Sequence, residues 1–518
     1  MGRYVLAIDA GTGSGRAIVY DLKGSIISLA QEEWSHPAVP GVPGGLDFAA
    51  EANGHLVDRV IKAAITKANL SPSDIAAVST TSMREGVVLY DEAGTVLWAC
   101  PNVDARAQKE ANELVRDGIA QKIYETAGDW VSITAPARLK WLQKHHPDLA
   151  NRARHIGLIS DWMATRLTGN YYTEPSAGSS SALFDLSKRT WSMELVKAIG
   201  LDPAIMPPVV EPGTVIGQVT AAAAARSGLA AGTHVVAGGG DTQLALFGLG
   251  RRAGDATLVG GSFWQTTILA DKPLIDPKRA PRTLCHVRPE EWMVEGIGFL
   301  NGFALRWLRD AFVLPLLAES EKSKAFQRME DLAAAVPPGC DGIFATMANP
   351  MQADRWLHPA PGFLGFNINR ADVGIGAAAR GIMEAAAFVA HDHFKTLKNL
   401  SGLSFQRIQF TGGSSQGALW PQIIADVFGM PVDIPVVKET TALGCAMLAA
   451  VGAGLFKTLD EAVAAMASPV ERRIEPNAQN HKAYQGFEQQ WMALNDEITT
   501  ISNRGLVEPL WRPAGAVI

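Results

Sequence analysis

Hydrophobic and polar positions change period several times along the chain, and the first change is the most informative. Val5, Leu6, Ala7 and Ile8 form a continuous apolar run that ends in Asp9. Gly11, Thr12, Gly13, Ser14 and Gly15 follow, and Ala17, Ile18, Val19 and Tyr20 resume the run. Short apolar runs joined by glycines predict two strands and a turn. Asp21-Leu-Lys-Gly24 predicts a second turn and Ser25–Ala30 a third strand, so an antiparallel meander is expected. The spacing then becomes helical within Phe48–Leu70, at Leu56, Val57, Val60, Ile61 and Ala64, before a short buried strand at Ile75–Thr80.

Three strands, a helix and a strand make the order of a ribonuclease H-like unit. Beyond it the pattern predicts a hairpin, Val87–Tyr90 with Thr95–Ala99, and helices at Gln108–Arg116, Gly128–His146 and Ile156–Leu167, the last stopped by Gly169. Trp141 reads as core, and Asp161 as a cap rather than a cleft residue. After a proline-punctuated loop (Pro203, Pro207, Pro208, Pro212) the opening pattern recurs. Thr233–Ala237 runs into Gly238–Gly240 and Asp241, with a helix at Thr242–Phe247. Ala256–Val259 runs into Gly260, Gly261 and Ser262, with a second apolar run at Trp264–Leu269. Ile408–Thr411 runs into Gly412–Ser415, with a helix at Leu419–Val427. Longer helices are expected at Gly374–His391, at Thr440–Val451, whose small residues suit close approach to a neighbouring backbone, and at Ala478–Thr499. The expected fold is therefore α/β and duplicated: two ribonuclease H-like domains, 1–250 and 251–518, with a nucleotide cleft between them.

Composition narrows the function classes. A chain of 518 residues, 47% hydrophobic and 19% charged, exceeds one core and predicts two large globular domains. A net charge of −6 without a Lys/Arg run excludes a nucleic-acid surface. Cys100, Cys285, Cys340 and Cys445 lack the paired spacing of a zinc site or disulfide framework and read as reduced thiols. No basic-then-apolar leader is visible, and the alanine-rich stretches Thr220–Ala225 and Ala442–Ala453 fall short of a membrane span. A cytoplasmic protein without a membrane partner is expected, and a homodimer is compatible with it. The loop His36–Gly45 carries no assigned role.

Glycines let backbone N–H groups turn outward and cup an anion, with the Thr12 and Ser14 hydroxyls as further donors. The run after Gly15 alternates instead of starting a helix, and no Gly-Lys-Ser/Thr is present, which excludes a dinucleotide fold and a P-loop. A surface hairpin is the plain alternative, but a carboxylate at the strand end favours phosphate with Mg²⁺. Three glycine-rich strand ends, two with acids beside them, suit a nucleoside triphosphate. Phosphoryl transfer rests on positioning and relief of developing charge, and an alcohol acceptor also needs a base. Asp241 is the candidate; a helix N-cap is its rival role, and the two are compatible. Arg84 and Glu85, at a strand's carboxyl end, are candidate ligand contacts against a plain turn salt bridge. Asp104 is either a ligand contact or the cap of Gln108–Arg116.

These blocks resemble the FGGY family of carbohydrate kinases, in the sugar kinase, actin and Hsp70 superfamily. IDAGTGSGRAIVYD resembles the first phosphate motif, AGGGDTQLALFGLG the catalytic-aspartate motif and FTGGSSQGALWPQIIADVFGMPV the adenosine-side motif, while Arg380-Gly-Ile-Met-Glu384 fits a second-domain helix. SMREGVVLY, ACPNVDARA, ISDWMA, GGSFWQ, RWLRDAF and IPVVKETTALGCA are similar to the bacterial branch acting on the autoinducer-2 precursor. The resemblance implies ATP- and Mg²⁺-dependent phosphorylation of open-chain 4,5-dihydroxy-2,3-pentanedione at its terminal hydroxyl. It implies Asp241 as base and Asp9 as holder of Mg²⁺ through water, with Asp241 a second metal contact. Phosphate would meet Thr12 and Gly13, with Gly11, Ser14 and Arg16 in the same loop. Gly260, Gly261 and Ser262 would cover the γ-phosphate, and Gly412 and Gly413, with Ser414 and Gln416, would face the adenosine. Arg84, Glu85, Asp104 and Thr242 would line the pocket of a small sugar or polyol.

Three departures bear on this. Gly260-Gly261-Ser262 stands where many members have Gly-Thr-Ser, Arg138 where the first signature has Lys, and Asn102 where a Trp precedes the substrate aspartate. The last two count against xylulose and other common sugars. A xylulokinase- or glycerol-kinase-like enzyme is the alternative, and an actin- or Hsp70-like nucleotide switch is the alternative of another class. A hinge closure around ATP is expected in any of them.

Overall fold

The strand Tyr4–Ala10 is buried at six of its seven positions because it lies inside a sheet covered on both faces. Side chains alternate across a strand. Leu6, Ile8 and Ala10 therefore pack with Leu56, Val57, Val60 and Ile61 of the helix Ala50–Lys67, whereas Val5 and Ala7 pack with Ala442, Leu443 and Ala446 of a helix from the far end of the chain, Thr440–Gly452. The computed structural model describes residues 3–298, 301–366, 369, 374–436 and 439–512.

The first sheet runs, in spatial order, Val215–Gln218, His234–Gly240, Ile75–Ser82, Tyr4–Ala10, Ser14–Tyr20 and Ile26–Glu33. The last three are the antiparallel meander, and Ile75–Ser82 is parallel to both Tyr4–Ala10 and His234–Gly240. The second sheet runs Arg282–Cys285, Trp292–Gly298, Trp264–Ala270, Ala256–Gly260, Ile408–Thr411, Val432–Pro435 and Val470–Ile474. Its five central strands repeat the order and directions of the first sheet. The ribonuclease H-like unit is present twice.

The lobes meet along the helices Asp241–Gly248 and Thr440–Gly452. A methyl group at Gly444 would fall 2.1 Å from the Leu244 carbonyl oxygen, and one at Gly248 would fall 2.2 Å from that of Thr440. The two backbones touch there, as the small residues of Thr440–Val451 predict. A third core, under the small sheet Val96–Cys100, Val87–Tyr90, His155–Leu158, supports the loops that follow the first sheet. Within the second lobe, the Ile375–Ser401 helix carries a buried Arg380–Glu384 ion pair at 2.7 Å, and Tyr484 donates its hydroxyl hydrogen to Glu384 at 2.8 Å.

Two helix expectations need correction. Ile156–Leu158 belongs to the strand His155–Leu158, and the helix is Ile159–Thr168, ended by Gly169 in the left-handed region. The Asp161 carboxylate accepts from the Leu158 N–H at 2.9 Å, so it does cap that helix, from inside its first turn. Gly128 closes a separate helix, Ile119–Ala127, and the expected Gly128–His146 helix spans only Ala135–His145. All four cysteines are free and buried, and Trp141 is core. Among the described residues, no helix is long and apolar enough to cross a membrane.

Candidate active site

Pairing of Tyr4–Ala10 with Ser14–Tyr20 sets Asp9 opposite Arg16 and leaves Gly11, Thr12 and Gly13 as the connecting turn. Gly13 is exposed, and a methyl group there would meet nothing within 4 Å, so this turn opens onto free space. Trp34 donates its indole N–H to the Gly11 and Thr12 carbonyls at 3.1 and 3.2 Å, and His36 bonds the Thr12 carbonyl at 2.7 Å. The unassigned loop thus begins as a brace for the turn. Asn102 and the Thr12 hydroxyl are 3.2 Å apart, which ties the turn to the loop carrying Asp104.

The Asp9 carboxylate is buried and pairs with Arg16 at 2.7 Å, and Arg16 also holds Glu439 at 2.8 Å. Burial pushes its pKa up to about 6; Arg16 opposes the rise, while Asp241 and Glu439 add to it. Arg16 thus faces two carboxylates, while the nearby Asp241 is paired with Arg84. Among the described residues, no set of three or more His, Cys, Asp or Glu side chains converges on one cation. Mg²⁺ takes one or two carboxylates together with water and substrate phosphate, and Asp9 and the nearby Asp241 could supply them.

Asp241 begins the helix Asp241–Gly248 at the end of the strand His234–Gly240, which continues through all three glycines. The N-cap is Gly240, so the alternative reading of Asp241 as N-cap is displaced by one residue, although its carboxylate does accept from the Thr242 N–H at 2.7 Å. The Asp241 side chain sits deep in the cleft yet is 39% exposed to it, 3.4 Å from the Arg84 guanidinium. Burial raises its pKa, Arg84 lowers it, and Glu85 raises it further. Thr441, on the helix from the far end of the chain, donates to the Asp241 carbonyl at 3.2 Å.

Arg84 and Glu85 follow the strand Ile75–Ser82, and Glu85 takes a φ of 64°. A non-glycine residue holds that conformation only where its surroundings fix it. Arg138 does so by donating to the Glu85 carbonyl at 2.8 Å and to those of Asn102 and Asp104 at 2.6 and 2.7 Å. Asp104 does not cap Gln108–Arg116, whose N-cap is Ala107; its buried carboxylate accepts from the Leu46 N–H and from Arg106, both at 2.8 Å.

On the second sheet, Gly260 and Gly412 lie back to back: a methyl group at Gly412 would fall 2.5 Å from the Gly260 oxygen, and Gly412 has a φ of 92°. Ser414 packs against the same glycine, Gly261 lies against Gly302, and Arg306 donates to the Ser262 hydroxyl at 3.3 Å. Gly413 and Gln416 are exposed, and the carbonyl of Gln416 accepts from Arg472. Beside this turn an apolar recess of about 490 Å³ is lined by Phe303, Trp307, Met347, Phe363 and Leu510.

Sequence reasoning missed Glu439, Thr441, Arg282, Glu295 and Asp129. The first two lie in the block IPVVKETTALGCA, which carried a signal; the last three had none.

Two ribonuclease H-like lobes with glycine turns at corresponding strand ends form an actin-like ATPase fold. In the solved structures, xylulose kinase from Rhodospirillum rubrum superposes with a TM-score of 0.84 at 24% identity, covering 97% of this chain and 100% of that one. Plasmodium falciparum glycerol kinase with ADP gives 0.80 at 18% identity, covering 95% and 98%. Residues 4–248 match the N-terminal domain of the FGGY family of carbohydrate kinases, and residues 264–453 match its C-terminal domain. The chain is 40% identical over 99% of its length to the autoinducer-2 kinase of Yersinia enterocolitica, spanning 98% of that protein, and equally to that of an Enterobacter species. It belongs to the FGGY family of carbohydrate kinases. It is an ATP-dependent sugar kinase, with ATP and Mg²⁺ as its cofactors.

Proposed function

We propose that this kinase transfers the γ-phosphoryl group of ATP to the terminal hydroxyl of open-chain 4,5-dihydroxy-2,3-pentanedione, with Asp241 as general base. The substrate rests on the 40% identity, held over 99% of the chain, to proteins named autoinducer-2 kinases. Asp241 takes the hydroxyl proton as the oxygen attacks the γ-phosphorus and ADP departs. Its position supports that role: it stands at a strand end in the cleft, open on one side and held by Arg84 on the other. Arg84, Glu85, Asp104 and Thr242 form the acceptor side. Gly11, Thr12, Gly13, Ser14 and Arg16 meet the phosphates from the first lobe, and Gly260, Gly261 and Ser262 from the second. Gly412, Gly413, Ser414 and Gln416 face the adenosine. Asp9, with Asp241 as a second contact, would hold Mg²⁺, which would supply charge neutralisation on the phosphates. Residues 1–250 and 251–518 serve as the two functional halves, although Thr440–Gly452 packs on the first sheet.

The test is an ADP-release screen over dihydroxypentanedione, xylulose, ribulose, glycerol and erythritol, run with wild type and Asp241→Asn. Dihydroxypentanedione is expected to give the highest kcat/KM. The variant should lose about 10²-fold or more in turnover while still binding ATP. Near-wild-type turnover in the variant removes Asp241 as base. Preference for xylulose or glycerol removes the substrate, and ATP hydrolysis indifferent to every acceptor would make the protein a nucleotide switch.

A further inference from the structure

We propose that Glu295 and Arg282, on the second sheet, are positioning residues of the acceptor site, holding Arg84 and Glu85 in one orientation and so setting which acceptors fit. The inference rests on the reading that Arg84 and Glu85 face the acceptor. One oxygen of Glu295 accepts from Arg84 at 2.6 Å and from Arg282 at 2.5 Å. Arg282 in turn donates to Glu85 at 2.8 Å and to Asp129 at 3.1 Å. Arg282 thereby joins Asp129, Glu85 and Glu295, and Glu295 passes the link through Arg84 to Asp241, in one branched network of four carboxylates and two guanidiniums. Its interior members are almost wholly removed from solvent: 0% of the Glu295 side chain is exposed, 2% of Arg282 and 6% of both Arg84 and Glu85.

Buried ion pairs are poor stabilisers compared with apolar residues of the same volume, whereas they fix orientation well. Orientation is what an acceptor site requires, because a small displacement of a contact residue costs far more in rate than in stability. Glu85 already has its left-handed backbone fixed through Arg138, and its N–H donates to Ser180 at 3.3 Å. Arg282 adds a hold on its carboxylate.

The anchor is tied to both lobes. The strands carrying Arg282 and Glu295 are tied to the first lobe on either side of the bridge. The Thr283 N–H donates to the Gly128 carbonyl at 2.9 Å, and the Cys285 N–H to the Ser179 hydroxyl at 3.0 Å. The Tyr124 hydroxyl donates to the Pro281 carbonyl at 2.6 Å, and the Trp292 indole to the Leu186 carbonyl at 3.0 Å. Arg84 therefore hangs from this seam with its Nε turned to Asp241. Among the described residues, the second oxygen of Glu295 has no hydrogen-bond partner, and the first takes both guanidiniums.

Glu295→Gln keeps shape and volume but removes the charge, and Arg282→Lys keeps the charge but removes the fork. Both are compared with wild type in the ADP-release screen, with unfolding temperatures recorded. In Glu295→Gln, the acceptor KM should rise about tenfold or more, and the kcat/KM ratio of the preferred to the next-best acceptor should fall about tenfold. The KM for ATP should stay within about twofold. Arg282→Lys should show the same split at smaller size. An unchanged acceptor ratio, parallel loss for both substrates that tracks the unfolding temperature, or failure of both variants to fold would overturn the proposal and leave the bridge a folding element. Wild-type protein that responds to no acceptor overturns the acceptor-site reading itself, whereas a clear wild-type acceptor with an unmoved ratio overturns only the bridge.

Discussion

The turn after Tyr4–Ala10 and the turn after Ala256–Gly260 occupy the same place in two copies of one fold, and they have diverged in chemistry. The first brings Asp9, Arg16 and, from the far end of the chain, Glu439 together; the second brings glycine backbone and the Ser262 hydroxyl. The first turn is open and braced by Trp34 and His36, whereas the second is packed so tightly that Gly260, Gly412 and Ser414 share van der Waals space. Duplication supplies two glycine turns, and charge placed at one of them makes the assembly asymmetric. The first turn has ionisable side chains beside it, and the second has glycine backbone and a hydroxyl.

The largest effect should come from removing that asymmetry. Asp9→Asn leaves Arg16 and Glu439 in place but takes away the strand-end carboxylate, and turnover should fall about 10²-fold or more. ATP binding, followed without acceptor, should change far less. Turnover within about threefold of wild type would show that the first turn acts by backbone alone, like the second. On the second sheet the matching change is Gly412→Ala, in the turn packed against Gly260. Its φ of 92° and the 2.5 Å approach to the Gly260 oxygen make any side chain strained. Such strain costs about 1–3 kcal/mol, so the KM for ATP should rise by about 5- to 150-fold with kcat less affected.

A smaller effect separates the turns by pH. Burial and neighbouring carboxylates push Asp9 up to about 6 in the absence of a cation. A protonated carboxyl must lose its proton before it can serve Mg²⁺, so binding weakens as pH falls through that value. The Mg²⁺ concentration giving half-maximal rate should be flat above pH 7 and rise about tenfold per pH unit below 6. Asp9→Asn should abolish that slope, and a slope surviving in the variant would assign it to another group.

The glycine-rich strand ends were legible because they are local: an apolar run ending in Gly-Thr-Gly or Gly-Gly-Ser defines its own turn. The meander, the duplicated order and the small-residue face of Thr440–Gly452 followed from period and residue size in the same way. The strand His155–Leu158 merges in sequence with the helix after it because four residues, His-Ile-Gly-Leu, cannot fix a period before a true helix begins. Asp104 was read beside its neighbouring helix, whereas its partners are Leu46 and Arg106. The Arg84–Glu295 pair joins residues 211 positions apart, and no periodicity or motif connects them. Long-range charge pairing across the lobes exists only once the two sheets are docked.

The mildest change tests whether the first turn acts as a unit with the acceptor loop. Asn102 and the Thr12 hydroxyl exchange hydrogen bonds at 3.2 and 3.3 Å, which links the first turn to the loop bearing Asp104. Each neutral hydrogen bond contributes about 0.5–1.5 kcal/mol, so Asn102→Leu should raise a KM by only about two- to tenfold. If the bonds couple the two sites, the KM values for ATP and for acceptor should rise together by similar factors, with kcat nearly unchanged. A rise in one alone would place Asn102 on that side only, and the first turn would then work independently of the acceptor pocket.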